Sequence, residues 1–333
     1  MFVKARTLVA ALAAASNLSL VQGHLYVWGV YVNGVDQGTF NGIRTPAYNG
    51  PPPRGYANSP VKDLDSIDMR CNVLGDKQVP QTIKVAPGDN ITLDWHHNNR
   101  TKADDVIDFS HHGPALVYLT PDPPTENSFV KIWEKGLYEY GSAPFAPGKW
   151  ATTSDIKAKN GIMNFRIPAG LKAGFYLVRA EMIALHEADA RFDLNPRRGA
   201  QFYPACIQLH VAGDGQVELP SGVSFPGAYK YSDPGVHYDI YCSTNSLATA
   251  PCTTTYQIPG PTVWSGAWPE TTEVALGPVS GEVTAPRWSS WISNSVVTSA
   301  TFVGTPAAPV IIATSTYSAS WSQKYSAPTP TAA

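Results

Sequence analysis

The stretch "TIKVAPGDNITLDW", residues 82 to 95, decides the fold of this chain. On both sides of Pro87-Gly88-Asp89-Asn90 apolar and polar residues alternate with a period of two, the pattern of a half-buried strand. Proline presets a turn dihedral, glycine supplies a positive φ, and Asp and Asn bond their own backbone, so these four residues reverse the chain. The stretch therefore reads as a β-hairpin.

The same grammar extends outward. "LYVWGVYVNG" (25–34) is a strand running into an Asn33-Gly34 turn. "ALVYL", "GIMNFRI", "GFYLVRAEMIAL" and "AQFYPACIQLHVAG" repeat the strand pattern. No long segment has a 3.6-residue apolar period, so helices should be few and short. Many strands without intervening helices imply an all-β fold, an antiparallel immunoglobulin-like or fibronectin-like β-sandwich with long loops. Roughly 240 residues suit one such domain. The Pro/Gly-rich loops at 38–60 and 187–200 are long enough to be functional.

The ends differ in composition. Lys4 and Arg6 precede an apolar run, Leu8 to Leu20, and Val21 and Gly23 occupy the small-residue positions before a cut. Ser16 and Asn17 interrupt the run, which falls short of the ~20 residues of a membrane span. Residues 1–23 are thus expected to be a signal peptide, the protein secreted and extracellular, and His24 the first mature residue. Residues 24–266 form the expected domain. Residues 267–333 are a Ser/Thr/Ala/Pro-rich low-complexity tail, although Trp288, Trp291 and Trp321 hint at partial docking.

The chain has four cysteines, Cys71, Cys206, Cys242 and Cys252, with no CxxC pair. In an oxidising compartment two disulfides are expected. Sequons at Asn90 and Asn99 are candidate glycosylation sites. A net charge of -2, 15% charged residues and no basic block argue against nucleic acid and against an acidic membrane as partner. The 11% aromatic content suits a neutral ligand such as a sugar.

An N-terminal histidine can chelate a metal through its α-amine and its ring Nδ1. The amine's ordinary pKa, about 7.7–8.0, lets a metal displace its proton near neutral pH. One further imidazole would complete three nitrogen donors, a set that favours Cu(II) over calcium or magnesium. Against this stands chance exposure of a histidine by cleavage. Four histidines could supply the imidazole: His96 and His97 in "WHHNNR", and His111 and His112 in "SHHGP". Adjacent side chains diverge in extended chain, so at most one of each pair is a ligand, and spacing does not choose. In "AQFYPAC", Gln201 and Tyr203 share one strand face while Phe202, Pro204 and Cys206 share the other. Tyr203 is a candidate axial ligand, though a half-buried core tyrosine is the commoner case. His186, closing "EMIALH", could hydrogen-bond near a metal or simply end a strand.

The processed His24, "SHHGP", "ALH" at 184–186 and "AQFYPAC" at 200–206, followed by "FPGAY", "SDPG" and "IPGPTVW", together resemble the fungal lytic polysaccharide monooxygenases of auxiliary-activity family nine. The resemblance runs in order from His24 to about Gly266. It implies one copper ion held by His24 and His111 rather than His112, with Tyr203 axial and with His186 and Gln201 positioning the oxygen species. It implies disulfides Cys71–Cys206 and Cys242–Cys252. The implied activity is oxidative cleavage of a β-1,4-glucan surface, cellulose above all, at C1 or C4. The implied co-reactants are O2 or H2O2 and an external electron donor, either a small reductant or a cellobiose dehydrogenase-like protein. Tyr26, Tyr229 and Tyr231 are candidates to stack on sugar, and the chain is expected to act as a monomer. The family often has histidine where this chain has Ala180. Two rivals differ in class. A glycoside hydrolase would use two carboxylates from Asp104, Asp105 and Asp108, and a copper- or carbohydrate-binding protein would make no product.

Overall fold

The alternating segments all become strands, but residues 82–95 do not form a hairpin. The computed structural model describes residues 25–45, 59–141, 147–242, 248–251, 253–268 and 273–280, and the backbone of 301–303. Strands β1 (Tyr26–Val32), β2 (Val35–Thr39), β3 (Ile43–Arg44), β4 (Gln81–Val85) and β5 (Asn90–His96) come first. They are followed by β6 (Ala115–Pro121), β7 (Val130–Lys135), β8 (Leu137–Glu139), β9 (Lys149–Trp150) and β10 (Ile162–Arg166). The long strands β11 (Gly174–Ala184) and β12 (Gln201–Val211) and the short β13 (Thr301–Val303) complete the set. Helix is confined to α1 (Asp68–Cys71) and a π-helical turn, Ala151–Ile156, among the described residues.

One sheet has the order β10-β5-β1-β2 and the other β13-β4-β12-β11-β6-β7, with β3 on β12. Their facing surfaces enclose the main core, from Val27, Leu93, Trp95 and Phe165 on one side to Val117, Val178, Met182, Ile207 and Leu209 on the other. This is the all-β sandwich that the sequence implies. Each fully buried large aliphatic or aromatic side chain contributes about 1.5–3 kcal/mol through removal from water.

β4 and β5 lie in different sheets. The turn between them forms as its residues require: the Ala86 N–H donates to Asp89 Oδ2 at 2.7 Å, and Gly88 has φ 86°. Asn33 then clamps the crossing, donating to Asp89 Oδ1 at 2.8 Å and accepting from the Asn90 N–H at 3.0 Å. The chain crosses the sandwich here, so β5 pairs with β1 and β10. β4 instead pairs with β12 in parallel, a departure from a wholly antiparallel fold. Turn chemistry dictates a reversal; it does not dictate that the flanking strands become partners.

Asn90 is correspondingly not a surface sequon. It is 5% exposed, and the hydroxyl of Thr92 is bonded to Asn164, so the folded chain leaves no room for a glycan there. Asn99 is half-buried in the loop after β5. Cys71 and Cys206 form a disulfide across 135 residues, tying α1 to the middle of β12. Cys242 is also disulfide-bonded; Cys252, its expected partner, lies outside the described residues.

The chain beyond Gly266 begins as a strap rather than a free tail. The Trp268 ring sits 4.1 Å from the Arg166 guanidinium, Glu273 pairs with Lys159 at 2.6 Å, and the Gly277 N–H donates to Gly34 O at 2.8 Å. Ser280 donates through both N–H and hydroxyl to Asp36 Oδ2, at 2.6 and 2.9 Å. Thr301–Val303 pairs in parallel with β4. Residues 1–23 and Trp288, Trp291 and Trp321 lie outside the described residues. No helix among the described residues is long and apolar enough to cross a membrane.

Candidate metal centre

The β11–β12 ladder ends at Ala184 opposite Gln201, with Met182 opposite Tyr203. Side-chain alternation sends Tyr203 into the inter-sheet core and Phe202 into a second cluster under the loops, as the sequence pattern requires. His186 follows two residues beyond β11. Its ring lies 4.4 Å from that of His111, which enters from the loop before β6.

That loop is held by its own chemistry. Asp108 Oδ1 accepts from the Ser110 N–H at 2.8 Å and from the Ser110 hydroxyl at 2.6 Å, and the His111 N–H donates to Asp108 O at 3.1 Å. The Thr152 hydroxyl, in the π-helical turn, donates to His111 O at 2.7 Å and approaches Gly113 O at 3.2 Å. At Gly113 a Cβ would stand 1.8 Å from Ile183 O, so only glycine lets the loop meet β11.

The hydrogen bonds of Ser110 favour one His111 tautomer. Ser110 has one hydroxyl proton, and the Asp108 carboxylate takes it. The Ser110 oxygen, 3.2 Å from His111 Nδ1, can therefore only accept, which puts the ring proton on Nδ1 and a lone pair on Nε2. That nitrogen lies 3.1 Å from the Tyr203 phenolic oxygen. The phenol proton is given to Gln201 Oε1 at 2.9 Å. An imidazole nitrogen and a phenol oxygen thus stand side by side. Imidazole nitrogen beside a phenol oxygen is a donor set that would suit copper.

The neighbouring groups stay uncharged. Complete burial, with Glu187 and Asp108 nearby, holds the Tyr203 pKa well above that of an ordinary phenol. Burial lowers the His186 pKa. His112 is pushed down to about 4, chiefly by burial and secondarily by His186. Its ring turns away from His111, with Nδ1 2.7 Å from the Thr153 hydroxyl. Of the other histidine pair, His96 is 2% exposed and its Nε2 lies 2.9 Å from Asp94; the His97 N–H donates to Asp104 at 2.7 Å.

His24 lies outside the described residues. Among the described residues no three His, Cys, Asp or Glu side chains gather closely enough to share a metal ion. His111, His186, Gln201 and Tyr203 do come together. Tyr26 and Tyr229 do not join them as sugar platforms. Tyr26 is 5% exposed and stacked on Trp28, and Tyr229 is 5% exposed with its hydroxyl bonded to Glu181; aromatic rings in this domain serve the core first. Tyr231 is half-buried, and its hydroxyl donates to Asp63 at 2.9 Å. The hydrolase carboxylates are engaged elsewhere: Asp104 with His97 and Asn98, Asp105 with Lys157, Asp108 with Ser110. Sequence reasoning missed Thr152, Glu187 and Lys62. Glu187 accepts from Gln201 Nε2 at 3.0 Å and from Lys62 at 3.2 Å. No motif marks these residues, because each acts through a partner distant in sequence.

The profile of "Auxiliary Activity family 9 (formerly GH61)" matches residues 24–249. The chain is 41% identical over 294 residues to AA9 family lytic polysaccharide monooxygenase A of Aspergillus clavatus, covering 88% of this chain and 73% of that protein. It is 44% identical over 257 residues to AA9 family lytic polysaccharide monooxygenase B of Emericella nidulans, covering 77% and 64%. Among solved structures, CvAA9A is 37% identical with a TM-score of 0.62, covering 73% of this chain and 99% of that one. The extended catalytic domain of H. jecorina LPMO9A is 27% identical with a TM-score of 0.57, covering 79% and 100%.

Proposed function

The chain belongs to Auxiliary Activity family 9, the lytic polysaccharide monooxygenases, and from that premise we propose that it is a secreted copper enzyme that cleaves β-1,4-glucan, cellulose foremost, by oxidation at C1 or C4. The observation that supports this reading is the gathering of His111, His186, Gln201 and Tyr203, with His111 Nε2 3.1 Å from the Tyr203 phenol oxygen. Removal of residues 1–23 would add the α-amine and ring of His24, completing three nitrogen donors. One copper ion per chain would then be held by His24 and His111, with the Tyr203 oxygen as a further donor. Copper, when bound, supplies one-electron redox chemistry that turns O2 or H2O2 and an external reductant toward a C–H bond of the sugar.

The protein's own groups prepare that position. Asp108, through Ser110, keeps the His111 proton on Nδ1 and the donor pair on Nε2. Tyr203 stays a neutral phenol because burial disfavours its anion, so the oxygen it presents is weakly donating. Thr152 fixes the His111 backbone and limits wandering of the ring. His186 and Gln201 line the same space with one uncharged ring and one amide, groups that orient an oxygen species without adding charge. Of the three tyrosines considered for sugar stacking, only Tyr231 keeps partly open surface.

The test is product chemistry. Copper-loaded protein whose chain begins at His24 should release oxidised cello-oligosaccharides from cellulose when given a reductant with O2 or H2O2, and essentially none without the reductant. Unoxidised reducing ends formed without reductant would identify a hydrolase. Copper uptake with no product would identify a binding protein.

A further inference from the structure

The geometry points to Glu187, held by Lys62, as the positioning residue that decides which way the Gln201 amide faces, and through it where the Tyr203 phenol sends its proton. An amide has an oxygen end that only accepts and a nitrogen end that only donates, and the two ends occupy nearly the same space. What distinguishes them is the company they keep.

On one side of Gln201 stands Glu187 Oε2, 3.0 Å from the amide nitrogen. A carboxylate oxygen can only accept. Turning the amide over would put its oxygen against that carboxylate, two acceptors at hydrogen-bond distance with no proton between them. The nitrogen end is therefore fixed toward Glu187, where its second proton also reaches His186 Nε2, at 3.3 Å. The oxygen end is then obliged to face Tyr203, whose hydroxyl donates to it at 2.9 Å. Because the phenol proton is directed there, the remaining lone pairs of Tyr203 face the His111 side, where a bound cation would meet them. In the flipped state the amide would donate to the phenol oxygen and compete for those same lone pairs.

Glu187 needs an anchor of its own. It follows the end of β11, and its Oε2 also accepts from Lys62 Nζ at 3.2 Å. That ammonium is in turn 3.3 Å from Arg197 O, so the loop at 187–200 and the segment at 59–62 close around the carboxylate. The ion pair keeps partial contact with water, with side chains 20% and 29% exposed. It therefore adds little to folding while setting the direction of a buried amide. The consequence for the axial ligand rests on the copper reading above; the orientation of the amide does not.

The experiment separates the two. In metal-free protein, the side-chain amide of Gln201 is followed by NMR in wild type, Glu187→Ala, Glu187→Gln and Lys62→Met. The copper(II)-loaded forms are then compared by electron paramagnetic resonance. In Glu187→Ala the Gln201 amide protons should exchange about tenfold faster, as expected for loss of one hydrogen bond to a charged acceptor. The copper spectrum of that variant should also shift. Glu187→Gln retains an acceptor oxygen and should stay close to wild type in both readouts. Lys62→Met should fall between, and it decides the matter if Glu187→Ala does not fold. Wild-type exchange and spectra in Glu187→Ala and Lys62→Met would overturn the assignment. So would equal spectral shifts in Glu187→Ala and Glu187→Gln with the amide undisturbed. If wild type takes up no copper, the copper reading fails, and the amide exchange still decides the role of Glu187.

Discussion

Two polar clusters sit along β11, and they are opposites. Midway along the strand, Arg179 and Glu181 are fully buried and joined by two contacts, 2.6 and 3.0 Å. Arg179 also donates to the Met69 carbonyl at 2.8 Å, and Tyr229 donates to Glu181. Tyr118 and Tyr229 share a hydrogen bond of 3.0 Å, and Lys131 is bound by Glu134 at 2.7 Å and by Pro259 O at 2.8 Å. Charge is matched by charge, and donors meet acceptors. Beyond the strand's end, burial keeps His186 and Tyr203 uncharged, and His111 Nε2 lies against the Tyr203 phenol oxygen at 3.1 Å. The first cluster brings its own counter-charges and holds the fold together; the second gathers imidazole, phenol and amide groups, the donor types of a metal centre.

The balanced cluster offers the largest effect. Glu181→Ala leaves the Arg179 guanidinium buried without its carboxylate and should cost about 3–5 kcal/mol. Replacing both residues with apolar ones of similar volume should cost much less. Urea unfolding of the two variants checks this, and equal losses would mean that the pair does not act as a unit. Next comes the disulfide: Cys71→Ala with Cys206→Ala should lower stability by about 2–5 kcal/mol, and copper uptake by the folded fraction should be unchanged.

At the other cluster the prediction concerns binding. His111→Ala removes a nitrogen donor and should weaken copper affinity by more than ~100-fold, beyond the usual effect of losing an outer partner. His112→Ala should change it only a few-fold, because its ring faces Thr153. Isothermal titration of both variants decides, and the reverse ranking would contradict the ligand assignment.

The smallest effect is one of pH. Burial raises the Asp155 pKa, but hydrogen bonds from Lys135 and Lys159 outweigh it, and the net pKa lies below the ordinary value. A depressed carboxylate stabilises the fold above its unfolded pKa, ~3.9, and that contribution is lost as pH falls through the folded value. Asp155→Asn should therefore be less stable than wild type near pH 7 by no more than ~1 kcal/mol. The two should converge at acid pH below the folded value, as thermal melts across the range would reveal. A constant gap would remove Asp155 from the acid limb.

How much of this was legible in advance depended on distance along the chain. Period-two alternation located the strands and the face shared by Gln201 and Tyr203, because both are properties of neighbouring residues. Partner choice was not legible. The 82–95 segment contains every local sign of a hairpin, yet β4 and β5 part company because Asn33, far away in sequence, clamps the crossing. The burial of Asn90, Tyr26 and Tyr229 escaped for the same reason. Divergence of His111 and His112 followed from local geometry; preferring His111 required the family resemblance. Glu187 and Lys62, 125 residues apart, meet only in the folded chain.

The central claim is that the convergent site performs oxygen chemistry on a glycosidic chain. Reaction with cellulose under 18O2, with copper and an ascorbate reductant, tests it most directly by mass spectrometry of the products. The account predicts oxidised oligosaccharides, with the C1-oxidised aldonic acids among them carrying label from the gas, all absent in His111→Ala. Aldonic acids whose new oxygen comes only from water, or equal yield from His111→Ala, would contradict it.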